Sequence, residues 1–313
     1  MTKSILITGA NGFIGKSLVK FLLKRNFNIT GVVRDKKFKN KNIKVKYLKS
    51  INNDTNWDIY FAGIDIVIHT AGLAGTNNIV RKNLVKLNEI NVSSTINLAE
   101  QAAKYKIKKF IFISSAQVHG ETSCINKPLT VKSKYNPESE YAMSKVEAEK
   151  GLANIRKISK MDIIIIRPPL VYGHGVKSNF STLIHLVKQK KLFPFKLVCR
   201  NKLSFISLEN LNDFIHTCIT YQKIINENFL IRDPNLVSTK VLIEEIADAF
   251  EVKPKLFPAP IIVLRLLGFL FNKRKQIKQL TSNFEIDMSF TKRKLNWKPK
   301  IDMRSSLRKM KKN

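Results

Sequence analysis

The stretch Leu6–Leu18, LITGANGFIGKSL, decides the fold of this chain. It joins a short apolar run, Ser4–Thr8, to a segment whose apolar residues recur at helical spacing. Gly9, Gly12 and Gly15 stand three residues apart at the junction, in a chain with only 12 glycines. Such a turn lets the pyrophosphate of a dinucleotide approach backbone amides and the positive end of a helix dipole. The stretch therefore predicts a dinucleotide-binding βαβ unit.

Short β-rich runs alternate with amphipathic segments through the first half of the chain. The predicted strands are Ser4–Thr8, Asn28–Arg34, Lys44–Leu48, Ile64–Ala71, Lys109–Ser115, Asp162–Pro169 and Asn228–Arg232. Their near-continuous Ile and Val content is typical of parallel strands buried on both faces. Predicted helices between them, including one over about 83–104, favour right-handed crossovers. The predicted fold is α/β, a Rossmann-type doubly wound parallel sheet with a smaller C-terminal substrate lobe.

A change of composition after Pro169 predicts the domain organisation. Loops lengthen there, and Pro, Phe and Lys become frequent. We expect a dinucleotide-binding domain over 1–168, rejoined by about 201–232. The substrate-binding lobe would comprise 169–200 and 233–313.

The net charge of +33 indicates acidic partners, but the lysines are dispersed and no nucleic-acid-binding motif accompanies them. An anionic metabolite as substrate accounts for the charge, and no nucleic acid is expected. The three cysteines are far apart, which favours a reducing, cytoplasmic location. The five histidines are isolated, so no metal site is predicted.

One apolar stretch, Ala259–Phe271, is followed directly by the basic run NKRKQIK. It is interrupted by Arg265 and is shorter than the ~20 residues that a membrane span needs. It predicts a buried or interface helix, or a helix that associates weakly with a membrane surface.

The segment NPESEYAMSK predicts a helix that starts with Asn136 as N-cap and Pro137 at the first position. Tyr141 and Lys145 would project together, because residues four apart share a helix face. Upstream, the predicted strand Lys109–Ser115 ends in two serines, and the carboxyl ends of parallel strands are where ligands bind.

Six motifs, in order, resemble those of the extended short-chain dehydrogenases/reductases of the nucleotide-sugar epimerase/dehydratase group: TGANGFIG, DIVIHTAG, NVSSTINL, FISSAQVHG, YAMSK and IIRPPLVYG. The resemblance implies that Tyr141 is the acid/base during hydride transfer. Lys145 and the nicotinium charge would lower the pKa of Tyr141 from its free value of ≈ 10. Ser115, with Ser114 as the close alternative, would hydrogen-bond the reacting oxygen, and Asn91 would support the site.

The resemblance also implies contacts with the cofactor and the substrate. The cofactor contacts would be Gly9, Asn11, Gly12, Phe13, Ile14, Gly15, Arg34, Ala71, Gly72, Asn91, Lys145 and Pro168. The substrate contacts would be Ser115, Gln117, Asn179, Phe180 and Arg200. Val33 stands where enzymes that use NAD usually carry an acid, so the following Arg34 favours NADP(H), while Asp35 keeps NAD(H) open. Relatives imply a homodimer through helices at about 83–104 and 139–155.

The two residues after Ser115 limit the choice among the family's reactions. Family dehydratases carry Asp-Glu there, whereas this chain has Ala116 and Gln117. The favoured hypothesis is a UDP-4-keto-6-deoxy-N-acetylhexosamine 4-reductase of polysaccharide precursor synthesis. A 4-epimerase of UDP-glucose or UDP-N-acetylglucosamine is the alternative, and a non-catalytic scaffold that binds NADP or polyanions is a remote third. The resemblance also implies an arginine on the diphosphate at a position matched by Leu203. Arg200 or Lys202 could take its place, which leaves the sugar nucleotide open.

Overall fold

The computed structural model of the protein describes residues 3–73 and 84–312. These residues fall into two compact units. The first unit draws on 1–119, 134–167 and 212–229, and the second on 120–133, 168–211 and 230–313.

The first unit is built on a parallel sheet. Among the described residues, its seven strands are β1 (Ser4–Thr8), β2 (Asn28–Val33), β3 (Lys44–Tyr47), β4 (Ile66–His69), β5 (Lys109–Ile113), β6 (Asp162–Arg167) and β10 (Asn228–Leu230). They lie in the order β10-β6-β5-β4-β1-β2-β3, and the register places Thr8 of β1 between Val32 and His69. From the opposite edge the strand order is β3-β2-β1-β4-β5-β6-β10. The direction in which successive strands are added changes at β1, and open α/β sheets bind ligands at such a point. The predicted Rossmann-type fold is confirmed.

Helices cover the sheet of the first unit. They are Phe13–Leu23, Asp58–Phe61, Leu84–Asn88, Ser94–Lys104 and Glu140–Ile158, with a π-helix at Glu89–Ser93, a 3₁₀ helix at Ala116–His119 and most of Leu208–Thr220. Residue 83, where the predicted helix over about 83–104 starts, lies outside the described residues. Leu98, Leu152, Phe110 and Ile163 are fully buried in a core formed by this layer and the sheet. Each such side chain contributes about 1.5–3 kcal/mol by leaving water.

The helix that carries Tyr141 begins later than predicted. Ser139 has an extended backbone, and its hydroxyl accepts a hydrogen bond from the amide of Ala142 at 3.3 Å, so the helix begins at Glu140. The prediction of Asn136 as the N-cap was wrong. A hydroxyl that satisfies an otherwise unpaired amide of the first turn fixes this start.

The second unit has short strands and several helices. Its strands are β7 (Leu170–Tyr172) paired with β9 (Phe205–Ser207), and β8 (Leu192–Phe193) paired with β11 (Lys255–Leu256). Its helices are Asn179–Lys188, Thr239–Ala249, Ile261–Leu270, Arg274–Thr281, Ser289–Leu295 and Met303–Lys312. None of the helices in residues 3–73 and 84–312 has both the length and the apolar character required to cross a membrane.

Residues 120–133 group with the second unit, whereas the sequence assigned them to the first domain. Ser123 and Leu129 form bridges with Asn283 and Ile286, residues more than 150 positions along the chain. Long-range pairing of this kind has no local sequence signal.

Candidate active site

The glycine turn after β1 has the geometry of a phosphate cradle. Gly9 has a φ of +68°, in the left-handed region that favours glycine, and its carbonyl accepts a hydrogen bond from the amide of Gly12 at 2.8 Å. A methyl group on Gly15 would lie 2.2 Å from the carbonyl oxygen of Gly9, so only glycine lets helix Phe13–Leu23 approach the turn.

The first turn of that helix fits an anionic group. Gly12 is its N-cap, and among the described residues no side chain caps the helix and no acidic residue lies in its first turn. The amides there point their N–H groups outward, and the helix dipole favours negative charge. The turn and the first residues of the helix can therefore bind the pyrophosphate of a dinucleotide. Asn11, Phe13 and Ile14 lie at the same place in the chain.

A buried hydrogen-bond chain ties the ends of β1 and β4 to the neighbouring helix. The hydroxyl of Thr8 accepts from the amide of Ala71 and lies 2.6 Å from Nδ1 of His69. The other ring nitrogen, Nε2, lies 3.0 Å from the hydroxyl of Thr95, which donates to the carbonyl of Asn91. Because the Thr95 proton is engaged, Nε2 of His69 carries the hydrogen and Nδ1 accepts from Thr8. Burial lowers the pKa of His69 to about 3, so the ring is neutral.

Asn91 joins the loop after β4 to the helix that carries Tyr141. Its amide oxygen accepts from the amide of Leu73 at 2.8 Å, and its nitrogen donates to the carbonyl of Leu73 and to the hydroxyl of Ser144. Ser144 in turn donates to the carbonyl of Tyr141. Asn91 lies in the π-helix Glu89–Ser93, a kind of turn that is frequent at functional sites.

Tyr141 and Lys145 lie on one face of helix Glu140–Ile158, with the ammonium 5.9 Å from the centre of the phenol ring. The ammonium donates to the carbonyl of Ile113, the last residue of β5, at 3.0 Å. A methyl group on Gly72 would lie 3.6 Å from the same ammonium. Lys145 is thus brought to the carboxyl edge of the sheet, next to the loop after β4.

Burial opposes ionisation of both groups. Desolvation lowers the pKa of Lys145 to about 8, against a smaller raising effect of Glu149. Desolvation raises the pKa of Tyr141 to about 12 in the chain by itself. The lowering expected from the sequence includes the charge of a bound nicotinium ring as well as that of the ammonium, which lies 5.9 Å from the ring centre.

The two serines after β5 have different partners. The hydroxyl of Ser114 donates to Glu149 at 2.5 Å, whereas that of Ser115 accepts from the amide of Gln117 at 3.2 Å and donates to no side chain or carbonyl among the described residues. The proton of the Ser114 hydroxyl is therefore already engaged, which differs from the situation of Ser115.

Glu149 and Arg167 form a buried ion pair behind these serines, at 2.6 Å, with side-chain exposures of 0% and 2%. Tyr135 donates to the carboxylate and accepts from Arg167, which also donates to Nε2 of His119. The network connects β5, β6 and the helix of Tyr141. No sequence motif pointed to Glu149 or Tyr135, although Glu149 lies one helical turn beyond Lys145.

Arg34 follows β2 and is exposed, while Val33 is buried in the sheet and paired with Tyr47. Asp35 accepts from the amide of Lys37. Arg34 is therefore the first residue after β2 whose side chain is exposed rather than buried in the sheet.

The remaining predicted site residues belong to the second unit. Pro168 opens one of its segments, and Asn179 and Arg200 are exposed. Phe180 packs against Tyr172 and Phe205 in the core of the unit, so its side chain serves packing. Leu203 is buried in the same core.

Short-chain dehydrogenases/reductases combine this sheet order with a glycine turn and a Tyr-x-x-x-Lys helix, and the protein is of their extended class. The model of the NAD dependent epimerase/dehydratase family matches residues 5–218, and the chain belongs to this family. It is 38% identical to a UDP-glucose 4-epimerase of Vibrio cholerae over 301 residues, 96% of this chain and 92% of that protein.

Solved structures share the fold. A UDP-glucose 4-epimerase of Thermotoga maritima with UDP-glucose has a TM-score of 0.76 at 20% identity, covering 97% of this chain and 96% of that one. A UDP-glucuronic acid 4-epimerase of Bacillus cereus in complex with NAD has a TM-score of 0.75 at 21% identity, with the same coverage.

Proposed function

We propose that the protein is an NAD(P)-dependent oxidoreductase that moves hydride at C4 of a UDP-linked sugar. The observation that carries the proposal is the position of Lys145, whose ammonium bonds the end of β5 and lies beside Tyr141 and the loop after β4. The names of the relatives support a UDP-sugar as the substrate.

Each residue has a distinct task in this reaction. The phenol of Tyr141 exchanges a proton with the oxygen on the reacting carbon, and Ser115 donates a hydrogen bond to that oxygen. Lys145 holds the cofactor ribose and favours the phenolate. The dinucleotide supplies or accepts the hydride when it is bound.

Within this class, the proposed reaction is reduction of a UDP-4-keto-6-deoxy-N-acetylhexosamine. Ala116 and Gln117 provide no acid and base for removing water, which argues against a dehydratase. A reductase consumes one reduced dinucleotide per turnover and so needs an exchangeable cofactor. The exposed Arg34 at the end of β2 supports NADP(H), because a cation suits the 2′-phosphate.

A 4-epimerase is the second candidate, supported by the 38% identity to a protein of that name. An epimerase returns the hydride to the opposite face of the same carbon, so it needs no external reductant and retains its cofactor.

The test starts from the dinucleotide that the purified protein releases on denaturation. UDP-N-acetylglucosamine and its 4-keto-6-deoxy derivative are then offered with NADPH and with NADH. We expect oxidation of NADPH with the keto sugar only. Tightly held NAD with inversion at C4 would replace the reductase by the epimerase. No turnover with any UDP-sugar would reject the proposed function.

A further inference from the structure

Helix Ile261–Leu270 presents an apolar stripe to solvent. Ile262, Leu266, Phe269 and Leu270 recur at helical spacing with exposed fractions of 81%, 58%, 63% and 66%, and Phe271 extends the stripe. On the other side, Leu264 and Gly268 are buried. Proteins that stay in water as monomers rarely expose an apolar patch of this kind, so the stripe indicates contact with another apolar phase.

The stripe is bordered by positive charge. Residues 252–284 contain seven Lys and Arg and no Asp or Glu, and one of the seven, Lys275, is paired with Glu121. The guanidinium of Arg274 lies 5.6 Å from the ring of Phe269, and with Arg265 and Lys278 it lines a cleft of about 420 Å³ beside the stripe.

Close helix packing holds the charges next to the stripe. A methyl group on Gly268 would lie 2.8 Å from the side chain of Ile277, so glycine lets helix Arg274–Thr281 pack directly on helix Ile261–Leu270. The positive residues and the apolar residues therefore form one continuous surface, which we call the basic–apolar face: Ile262, Arg265, Leu266, Phe269, Leu270, Phe271, Lys273 and Arg274.

Charge decides between two occupants of this face. A second copy of the chain would bring its own Arg265, Lys273 and Arg274 against their counterparts, and like charges repel. An anionic bilayer offers negative headgroups to the cations and an apolar interior to the stripe. A ten-residue helix is about 15 Å long, about half of the ~30 Å hydrocarbon core, so it can lie in the interface.

We propose that the basic–apolar face docks the protein on an anionic phospholipid bilayer, with headgroup phosphates near Arg265 and Arg274. The apolar side chains enter the headgroup region and the cations remain at its level. The inference uses only the second unit and does not depend on the proposed catalytic reaction.

The test is co-sedimentation of the full chain with vesicles. Vesicles of phosphatidylcholine alone are compared with vesicles that contain 30% phosphatidylglycerol, in low and in high salt. We expect a partition coefficient at least about tenfold higher for the anionic vesicles at low salt, with most of the difference lost at high salt. Equal binding to both vesicles, or binding to neither, would overturn the proposal.

Three variants, checked for folding by circular dichroism, locate the binding surface. Lys273→Glu/Arg274→Glu should lower the partition coefficient by at least about fivefold for each cation removed. Ile262→Ser/Leu266→Ser should lower it without changing the net charge. Lys157→Glu/Lys160→Glu, at exposed positions of the first unit, changes the net charge equally and should leave binding within about twofold. If this control lowered the partition coefficient as much as Lys273→Glu/Arg274→Glu does, binding would depend on net charge alone and the basic–apolar face would not be the binding surface.

Sedimentation velocity tests whether a second copy of the chain covers the face instead. The vesicle-free protein should have the same mass as Ile262→Ser/Leu266→Ser. A dimer that this variant dissociates, together with no vesicle binding, would show that a second copy covers the face.

Discussion

Replacing Glu149 by glutamine tests how strongly one buried carboxylate holds the active-site elements together. Its oxygens accept hydrogen bonds from Ser114, Tyr135 and Arg167, and the closest ion-pair distance is 2.6 Å. An amide nitrogen cannot accept these bonds, and the buried guanidinium of Arg167 loses the negative charge of Glu149. Removing one partner of a buried ion pair costs about 3–5 kcal/mol, so Glu149→Gln should lower the free energy of unfolding by about that amount.

The same helix provides the control. Glu147 pairs with Lys150 at 2.8 Å, but both side chains are more than half exposed, at 54% and 57%. Exposed pairs contribute about 0–1 kcal/mol, so Glu147→Gln should be close to neutral. Urea unfolding followed by circular dichroism measures both variants under the same conditions.

An apolar double variant completes the test. Glu149→Leu/Arg167→Met removes both charges at once and should recover much of the stability lost in Glu149→Gln. A loss of unfolding free energy in Glu149→Gln no greater than that in Glu147→Gln would refute the importance of the buried pair. So would a double variant that is less stable than Glu149→Gln by another 3–5 kcal/mol or so, about the cost of the single change.

Three other changes test the site. Tyr141→Phe should lower kcat by about 10²–10⁴-fold, as expected for loss of an acid/base, with the dinucleotide Kd nearly unchanged in a fluorescence titration; normal turnover would exclude the role. Gly15→Ala should cost about 1–3 kcal/mol in urea unfolding, because its methyl group would lie 2.2 Å from the Gly9 carbonyl oxygen, and equal stability would contradict that packing. The pKa of buried His69 is about 3 in the folded chain and about 6.5 unfolded, so the unfolded chain binds the extra proton between these values. As the pH falls from about 6.5 to about 3, the free energy of unfolding should therefore decrease by up to about 1.4 kcal/mol per pH unit more than in His69→Gln. If the free energies of unfolding of the two proteins fell in parallel with pH, a neutral buried His69 would be contradicted.

Much of the site could be predicted because its motifs are local. The glycine spacing depends on backbone sterics within one turn, and the Tyr141–Lys145 spacing depends on helix geometry. The sequence put Ser115 first and left Ser114 as the close alternative, and the different hydrogen-bond partners of the two hydroxyls are visible only in the fold. Glu149, Thr8 and Thr95 were missed for a related reason, because partners such as Ser114 and His69 are brought to them from elsewhere in the chain.

The sequence by itself determined the parallel sheet, its glycine turn and the pairing of Tyr141 with Lys145, because periodicity and steric limits act over a few residues. Only the tertiary structure decided the start of the Tyr141 helix, the grouping of residues 120–133 and the raised pKa of Tyr141. Each of these depends on desolvation or on hydrogen bonds whose strength is set by the surroundings of the folded chain. The charge of Lys145 could be predicted from residue type, but the loss of water that raises the pKa of Tyr141 arises only when the chain folds.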